Sequence, residues 1–379
     1  MSKIKIKSNF AISYVWVSIL LIVVSVSELG MKTERLFYPI CIIILVLCFV
    51  IKGVKIKLNS SILLILYLIY SLLSCLWTPA VGIDAYVLSK TTVLSCLVLQ
   101  LQFDYDTYDY LRIKNAFLIQ FILIVAAVLL WGEVRGDGRL WIINGRITTD
   151  PNSLSAWVFI PASIFIERVF ASNRKNKIVS LVGLIISGAI VFAGASRAAF
   201  IVFTSFLLMS TIYTFRNVLK RNPMYAILFV LFVVVVGLIV FNNLPESVVN
   251  RFNNASTSDL GGRAEIWKGL LETLLKHPLG LLFGMGEYSA HYYVAVAHSM
   301  YLDTLFSQGV IGLMLVVSYI LLSIKKLWKR DPYMAIGVIS VCFMGATLSE
   351  FTSRSVMLAF FILGMNVLLD SNGISERYN

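Results

Sequence analysis

Charge is scarce in this chain: of 379 residues only 14% are Asp, Glu, Lys or Arg, and 59% are hydrophobic, whereas a soluble domain carries about a quarter charged residues. Apolar residues in that excess have no water-soluble core to enter. Histidine is scarcer still, with three residues, His277, His291 and His298. The chain also lacks the phosphate loop ending in GK[ST], the H-E-x-x-H and G-x-S-x-G patterns, and an acidic D-x-D pair in an outer loop, which leaves out P-loop, zincin, serine-hydrolase and divalent-metal chemistries of those types. Cys41, Cys48, Cys75, Cys96 and Cys342 lie in or beside apolar runs. Neither their odd number nor their spacing suggests a disulfide framework or a zinc site, so they read as small packing residues. Internal repeats, heptads and low-complexity tracts are missing too, so an inverted-repeat transporter gains no support.

What is present is a series of apolar runs of membrane-spanning length. They fall near 11–28, 37–51, 61–77, 86–103, 113–131, 153–169, 177–195, 198–214, 224–241, 299–323, 333–349 and 355–370. The expected fold is therefore all-α: a polytopic transmembrane bundle of about twelve spans, with residues 1–379 forming one integral membrane domain. The first run follows Lys3, Lys5 and Lys7 but lacks a small-residue cleavage pattern, so it reads as a span rather than a signal peptide. With the N-terminus inside, 20 of the 32 Lys and Arg residues fall on the inner face and 11 on the outer, with Lys90 inside a span. The net charge of +12 is then mainly a topology signal and not a mark of nucleic-acid binding. The informative cations are those that face outward against the rule.

Two outer connections exceed the short links between the other spans, and long loops carry function. One covers about 132–152, and the larger covers 242–298. Within the larger loop, RAEIWKGLLETLLKH sets Ile266, Leu270, Leu271, Leu274 and Leu275 at helical spacing opposite Lys268, Glu272 and Lys276, and Pro278 ends the run. This is an amphipathic helix that either lies on the outer membrane surface or packs over the bundle.

His298 opens a span. If that span is one regular helix, Gly309 and Gly312 stand within about 40° of the histidine's direction and roughly 16 to 21 Å deeper, and would let a neighbouring helix approach closely. The bland alternative is an interfacial or capping histidine. Arg197 sits in a tight outer turn, where a charge near hydrocarbon marks a functional candidate. Arg354 has Glu350 four residues before it, so an ion pair competes with a functional role. Arg146 precedes Asp150, Pro151 and Asn152 at the mouth of a span; Arg263 follows two glycines at the start of the amphipathic helix; Arg251 stands in the same loop. Lipid headgroup contact would also account for Arg146, Arg251 and Arg263. Guanidinium groups gathered at the outer helix ends suit an anion, phosphate in particular. They would stabilise a phosphate leaving group by fixed charge, with an imidazole as general base toward an incoming hydroxyl.

His298 and Ser299, nine residues, Gly309, two residues and Gly312 resemble the His-[Asn/Ser/Gln]-x9-Gly-xx-Gly signature of the O-antigen ligase and O-antigen polymerase superfamily. Ser196-Arg197, the NRFN and GGRAEIW runs between Asn250 and Trp267, HPLGLLFGMG, and LSEFTSR around Arg354 follow the same order. The resemblance covers roughly 140 to 360. It implies a polytopic GT-C type glycosyltransferase of the bacterial inner membrane, with cytoplasmic termini and a periplasmic site. Such enzymes use no metal or organic cofactor and invert the anomeric centre of a glycan held on undecaprenyl pyrophosphate. By motif position His298 is the base, and Arg197 and Arg263 hold the pyrophosphate. Arg146, Arg354, Arg251, Asn152 and Ser299 are expected to contact substrate, and Asp303 and Glu265 to orient His298 or Arg263. The acceptor is another lipid-linked repeat unit for a polymerase, with a chain-length regulator as a possible partner, or lipid A-core for a ligase. The compact Ile-, Lys-, Asn- and Ser-rich chain is the look of enzymes from surface-polysaccharide clusters, which favours the polymerase. A transporter or flippase for the same lipids would instead need ionisable residues at the bilayer midplane, for which Lys90 is the candidate.

Overall fold

The computed structural model describes residues 60–83, 107–136, 138–144, 147–171, 174–218 and 263–348, with positions 43 and 224 and scattered positions between 83 and 107. The spans expected at 11–28, 37–51, 224–241 and 355–370, loop segment 242–262, and Arg146, Arg251, Glu350 and Arg354 lie outside the described residues.

The described elements are α1 (Ser61–Ser74), α2 (Thr107–Trp131), β1 (Gly132–Val134), β2 (Leu140–Asn144), β3 (Ile147–Thr149), α3 (Pro151–Ala171), α4 (Arg174–Ala193), α5 (Arg197–Val218), α6 (Arg263–Lys276), α7 (Pro278–Phe283), α8 (Ser289–Tyr293), α9 (Met300–Arg330) and α10 (Pro332–Met344). Among them α2, α3, α4, α5 and α9 are long and apolar enough to cross a membrane. Leu129, Ile185, Ile201 and Leu321 on these helices are exposed, a surface suited to lipid rather than water. Helix α3 is the exception: 72% of its span is buried, against 33–44% for the other four, so it is the central post. Small residues let its neighbours close in. A Cβ on Gly183 of α4 would stand 2.5 Å from the Phe165 ring, and one on Gly337 of α10 2.8 Å from Ser163.

Polar side chains gather at the two ends of this bundle. At one end Lys114 of α2 bridges Glu167 of α3 and Asp331 before α10, both at 2.5 Å, Tyr110 donates to Asp331 at 3.0 Å, and Thr214 of α5 pairs with Tyr333 of α10 at 2.9 Å. The positive-inside pattern assigns Lys114, Arg168 and Arg330 to one face, and all three belong to this end. The opposite end carries the site described below.

The structure departs from the sequence expectations twice. Residues 132–149 form a three-stranded antiparallel sheet in the order β1-β2-β3, with Glu133 opposite Trp141 and Ile143 opposite Thr148, so the fold is not wholly helical. The turn between β1 and β2 places Gly138 at φ 72°, a left-handed position that suits glycine in a hairpin loop. Second, α9 is not one regular helix. Gly309 adopts φ 68°, ψ −169° and breaks it. In an unbroken helix the carbonyls of Phe306 and Ser307 would accept from residues four positions on; here they accept from Met285 N (2.8 Å) and Gly286 N (3.0 Å). The HPLGLLFGMG segment is thereby clasped to the break. The helical-wheel geometry expected for His298, Gly309 and Gly312 does not apply, because the histidine precedes the helix and the helix changes course between them.

A Cβ on Gly309 would also stand 2.3 Å from the Leu282 carbonyl oxygen. Gly309→Ala therefore combines a disfavoured φ with a backbone collision and is expected to destabilise the protein by about 2–4 kcal/mol. Thermal unfolding in detergent measures this, with Gly136→Ala as a control, since Gly136 has open space around it.

Candidate active site

The site is built from helix beginnings. Asp150 caps α3, its Oδ1 accepting from Asn152 N (2.8 Å) and Ser153 N (3.4 Å). Ser196 caps α5, its hydroxyl accepting from Ala199 N at 3.2 Å, and Arg197 is the first residue of that helix. Ser299 caps α9, accepting from Leu302 N at 3.4 Å, and His298 directly precedes it. Arg263 is the first residue of α6. Each such terminus presents unsatisfied N–H groups and the positive end of the helix dipole.

These four beginnings are neighbours. Burial lowers the Arg263 pKa from its ordinary value, Asp150 raises it and Arg197 lowers it again. At His298, which keeps an exposed face, partial burial lowers the imidazole pKa, Arg263 lowers it further, and Asp150 opposes them. Arg263 is thus within electrostatic reach of Arg197, Asp150 and His298, and His298 also of Asp150, although these residues come from positions as far apart as 150 and 298. The net effect at His298 favours the neutral imidazole at neutral pH, the form that can accept a proton.

The backbone around His298 is fixed from two sides. Trp267, one turn into α6, donates from Nε1 to the Ala297 carbonyl at 2.8 Å, and Met300 N donates to the Gly345 carbonyl beyond α10 at 2.8 Å. His298 itself has φ 47° and Ala195, two residues before Arg197, has φ 44°. Non-glycine residues rarely take this left-handed conformation, and such strain recurs at functional sites.

Of the sequence candidates, then, His298, Arg197 and Arg263 come together. Asn152 and Ser299 stand in the surrounding frame: Ser299 serves as a cap, and buried Asn152 accepts through Oδ1 from Arg139 at 3.2 Å. Glu265 is exposed, Asp303 acts on buried Tyr67 and Lys90, and Asp150 is a carboxylate that acts on both His298 and Arg263.

Sequence reasoning also passed over Arg139. Its Nε donates to the Gly194 carbonyl at 3.2 Å while its other arm reaches Asn152, so one guanidinium from the sheet ties the turn before Arg197 to the start of α3. Its position in an outer loop of expected function was the only sequence signal.

Behind the site lies a buried network. Lys90 Nζ meets Glu287 Oε2 at 2.6 Å and Ser71 Oγ at 2.6 Å. The same carboxylate oxygen accepts from Ser71 (2.5 Å) and from Gln308 Nε2 (2.6 Å), and Thr78 donates to the Glu287 carbonyl at 2.6 Å. A Cβ on Gly312 would stand 2.3 Å from the Gln308 Cβ. In this chain the two signature glycines therefore have separate roles: Gly309 opens the helix to the 284–286 segment, and Gly312 leaves room for Gln308 to reach Glu287.

Residues 182–317 match the protein family described as O-antigen ligase. The match takes in Arg197, Arg263, His298 and both glycines. A comparison with curated proteins gives no match.

Proposed function

We propose that this chain, whose residues 182–317 match the O-antigen ligase family, is a surface-polysaccharide polymerase of the bacterial inner membrane, with its site on the periplasmic face. It transfers a glycan from undecaprenyl pyrophosphate to a hydroxyl of another lipid-linked repeat unit. His298 Nδ1 or Nε2 takes the hydroxyl proton as that oxygen forms its bond to the anomeric carbon. The carbon–oxygen bond to phosphate breaks on the opposite face, inverting the centre. The departing pyrophosphate takes the electron pair, and Arg197, Arg263 and the beginnings of α3, α5, α6 and α9 stabilise the new charge. Fixed cations supply what a divalent metal would otherwise supply, so the reaction runs without one. Arg146, Arg251 and Arg354 add contacts to the diphosphate or glycan.

The observation that carries this reading is the meeting of two arginines with a histidine whose surroundings favour its neutral form. The family description itself supports the second reading, an O-antigen ligase acting on lipid A-core. A deletion strain separates the two: loss of a polymerase leaves lipopolysaccharide capped with one repeat unit, whereas loss of a ligase leaves bare core and accumulating lipid-linked polymer. Transport of the same lipids is disfavoured because Lys90 is engaged by Glu287 and Ser71.

The charges around His298 give opposite pH shifts. Activity falls as pH drops through the histidine pKa. Asp150→Asn removes the influence that raises that pKa, so the acid limb of kcat/KM moves to lower pH. Arg263→Gln removes one that lowers it, so the acid limb of the residual activity moves to higher pH. Profiles of both variants between pH 5 and 8 check the signs.

A further inference from the structure

A second site, apolar with a lysine at its rim, lies at the other end of α6. A cavity of about 570 Å³ opens between the end of that helix, α7 and the end of α1, in the size range of small-molecule sites. Its walls are apolar and aromatic, from Trp77, Phe283, Met285 and Tyr293, and its charged or titratable rim is Lys276 and His277, with no carboxylate among its lining residues. Tyr70 braces it, donating to the Phe283 carbonyl at 2.7 Å and packing on Trp77 at 6.2 Å between ring centroids. Leu279 in the lining is exposed, as are Leu275 and Leu76 next in sequence to the lining residues Lys276 and Trp77, so the apolar surface of the cleft faces outward.

A lysine and a hydrogen-bonding imidazole at the rim, an apolar trough and an open side are complementary to an anionic amphiphile, with phosphate on Lys276 and His277 and chain in the trough. A neutral lipid would leave the rim unused, and a soluble anion would leave the trough empty. Arg263 and Lys276 begin and end α6, thirteen residues apart, which is about 20 Å at the helical rise. A phosphate at Lys276 thus stands one short oligosaccharide away from His298.

We propose that this cleft seats the lipid anchor of the acceptor, a polyprenyl phosphate group distinct from the donor's, so that α6 holds the two lipid substrates at its two ends. This rests on the polymerase reading, in which the acceptor hydroxyl lies at the far end of a repeat unit from its own phosphate.

The test separates the two proposals. Full-length protein in phosphatidylcholine nanodiscs is photo-crosslinked with a sugar-free polyprenyl phosphate bearing a diazirine near its phosphate, and the labelled peptides are mapped. Labelling is expected at Trp77 and within 276–285. It should drop by about tenfold in Lys276→Glu with His277→Glu and in part in the milder Lys276→Gln, the loss of a charge-assisted contact, and it should survive Arg197→Ala with Arg263→Ala, which disables the donor site. Undecaprenyl phosphate should compete, and undecaprenol and phosphatidylglycerol should not. Labelling confined to the surroundings of Arg197 and Arg263, labelling that survives charge reversal, or equal competition by undecaprenol or phosphatidylglycerol overturns the proposal. In turnover, the same rim variants should raise KM for the acceptor and leave KM for the donor; an unchanged acceptor KM overturns the acceptor assignment. A wild-type protein that labels at 276–285 but transfers no glycan counts against the polymerase reading while the lipid site stands.

Discussion

Replacing His298 with asparagine is expected to lower kcat by about 10²- to 10⁴-fold, the usual contribution of a general base, while KM for the lipid-linked donor changes little. Asparagine is the informative choice because the position has φ 47°, and asparagine tolerates that conformation better than alanine. The backbone that Trp267 and Gly345 hold around it is then preserved, and only the proton acceptor is removed. The donor should still bind, since the cations assigned to its diphosphate are untouched. Initial rates of glycan transfer, with a thermal melt to show that the variant folds, check both parts. A matching loss of stability would mean that His298 serves the turn rather than the chemistry.

The second large effect concerns folding. Glu287→Gln leaves the Lys90 ammonium buried without its counter-charge and should cost about 3–5 kcal/mol, as breaking a buried pair typically does. Lys90→Met alone strands the carboxylate and should cost a comparable amount. The double variant, Lys90→Met with Glu287→Gln, should recover most of the loss, because both charges are gone and Ser71 and Gln308 can still bond to the amide. Unfolding measurements on the four proteins give the coupling directly. Additive losses would mean that the 2.6 Å contact contributes nothing as a pair. This network also anchors the 284–288 segment between α1 and α9, so the single variants should lose activity in parallel with stability.

How much of this could be read from residues alone depends on the range of the interaction. Helix ends were legible where local chemistry marks them: the run expected at 177–195 is α4 at Arg174–Ala193, and RAEIWKGLLETLLKH is α6, stopped before Pro278 as expected. Of the two alternatives for α6, the structure bears on packing over neighbouring helices. Leu270 and Leu274 are fully buried against the bundle, while Leu271 and Leu275 remain exposed. The wheel argument for His298 failed because it assumed a regular helix through Gly309. A glycine in an apolar run reads equally as a packing contact or a break, and only the 284–286 segment, brought from elsewhere in the chain, decides between them. Lys90 and Glu287 are 197 residues apart, so no sequence spacing could pair them. Asp150 was visible only as a residue at the mouth of a span; its proximity to Arg263 and His298 arises because α3 packs on α5 and on α10, which in turn packs on α9.

The central claim is that Arg197, Arg263 and His298 act together on a lipid pyrophosphate. Its most direct measurement is turnover by purified protein in nanodiscs supplied with undecaprenyl-pyrophosphate-linked repeat units and EDTA, following glycan length and released undecaprenyl pyrophosphate. The expected result is products of several repeat units, one pyrophosphate released per linkage, and near-complete loss in His298→Asn and in Arg197→Ala. Turnover unchanged in both variants, or abolished by EDTA and restored by a divalent metal, would contradict it.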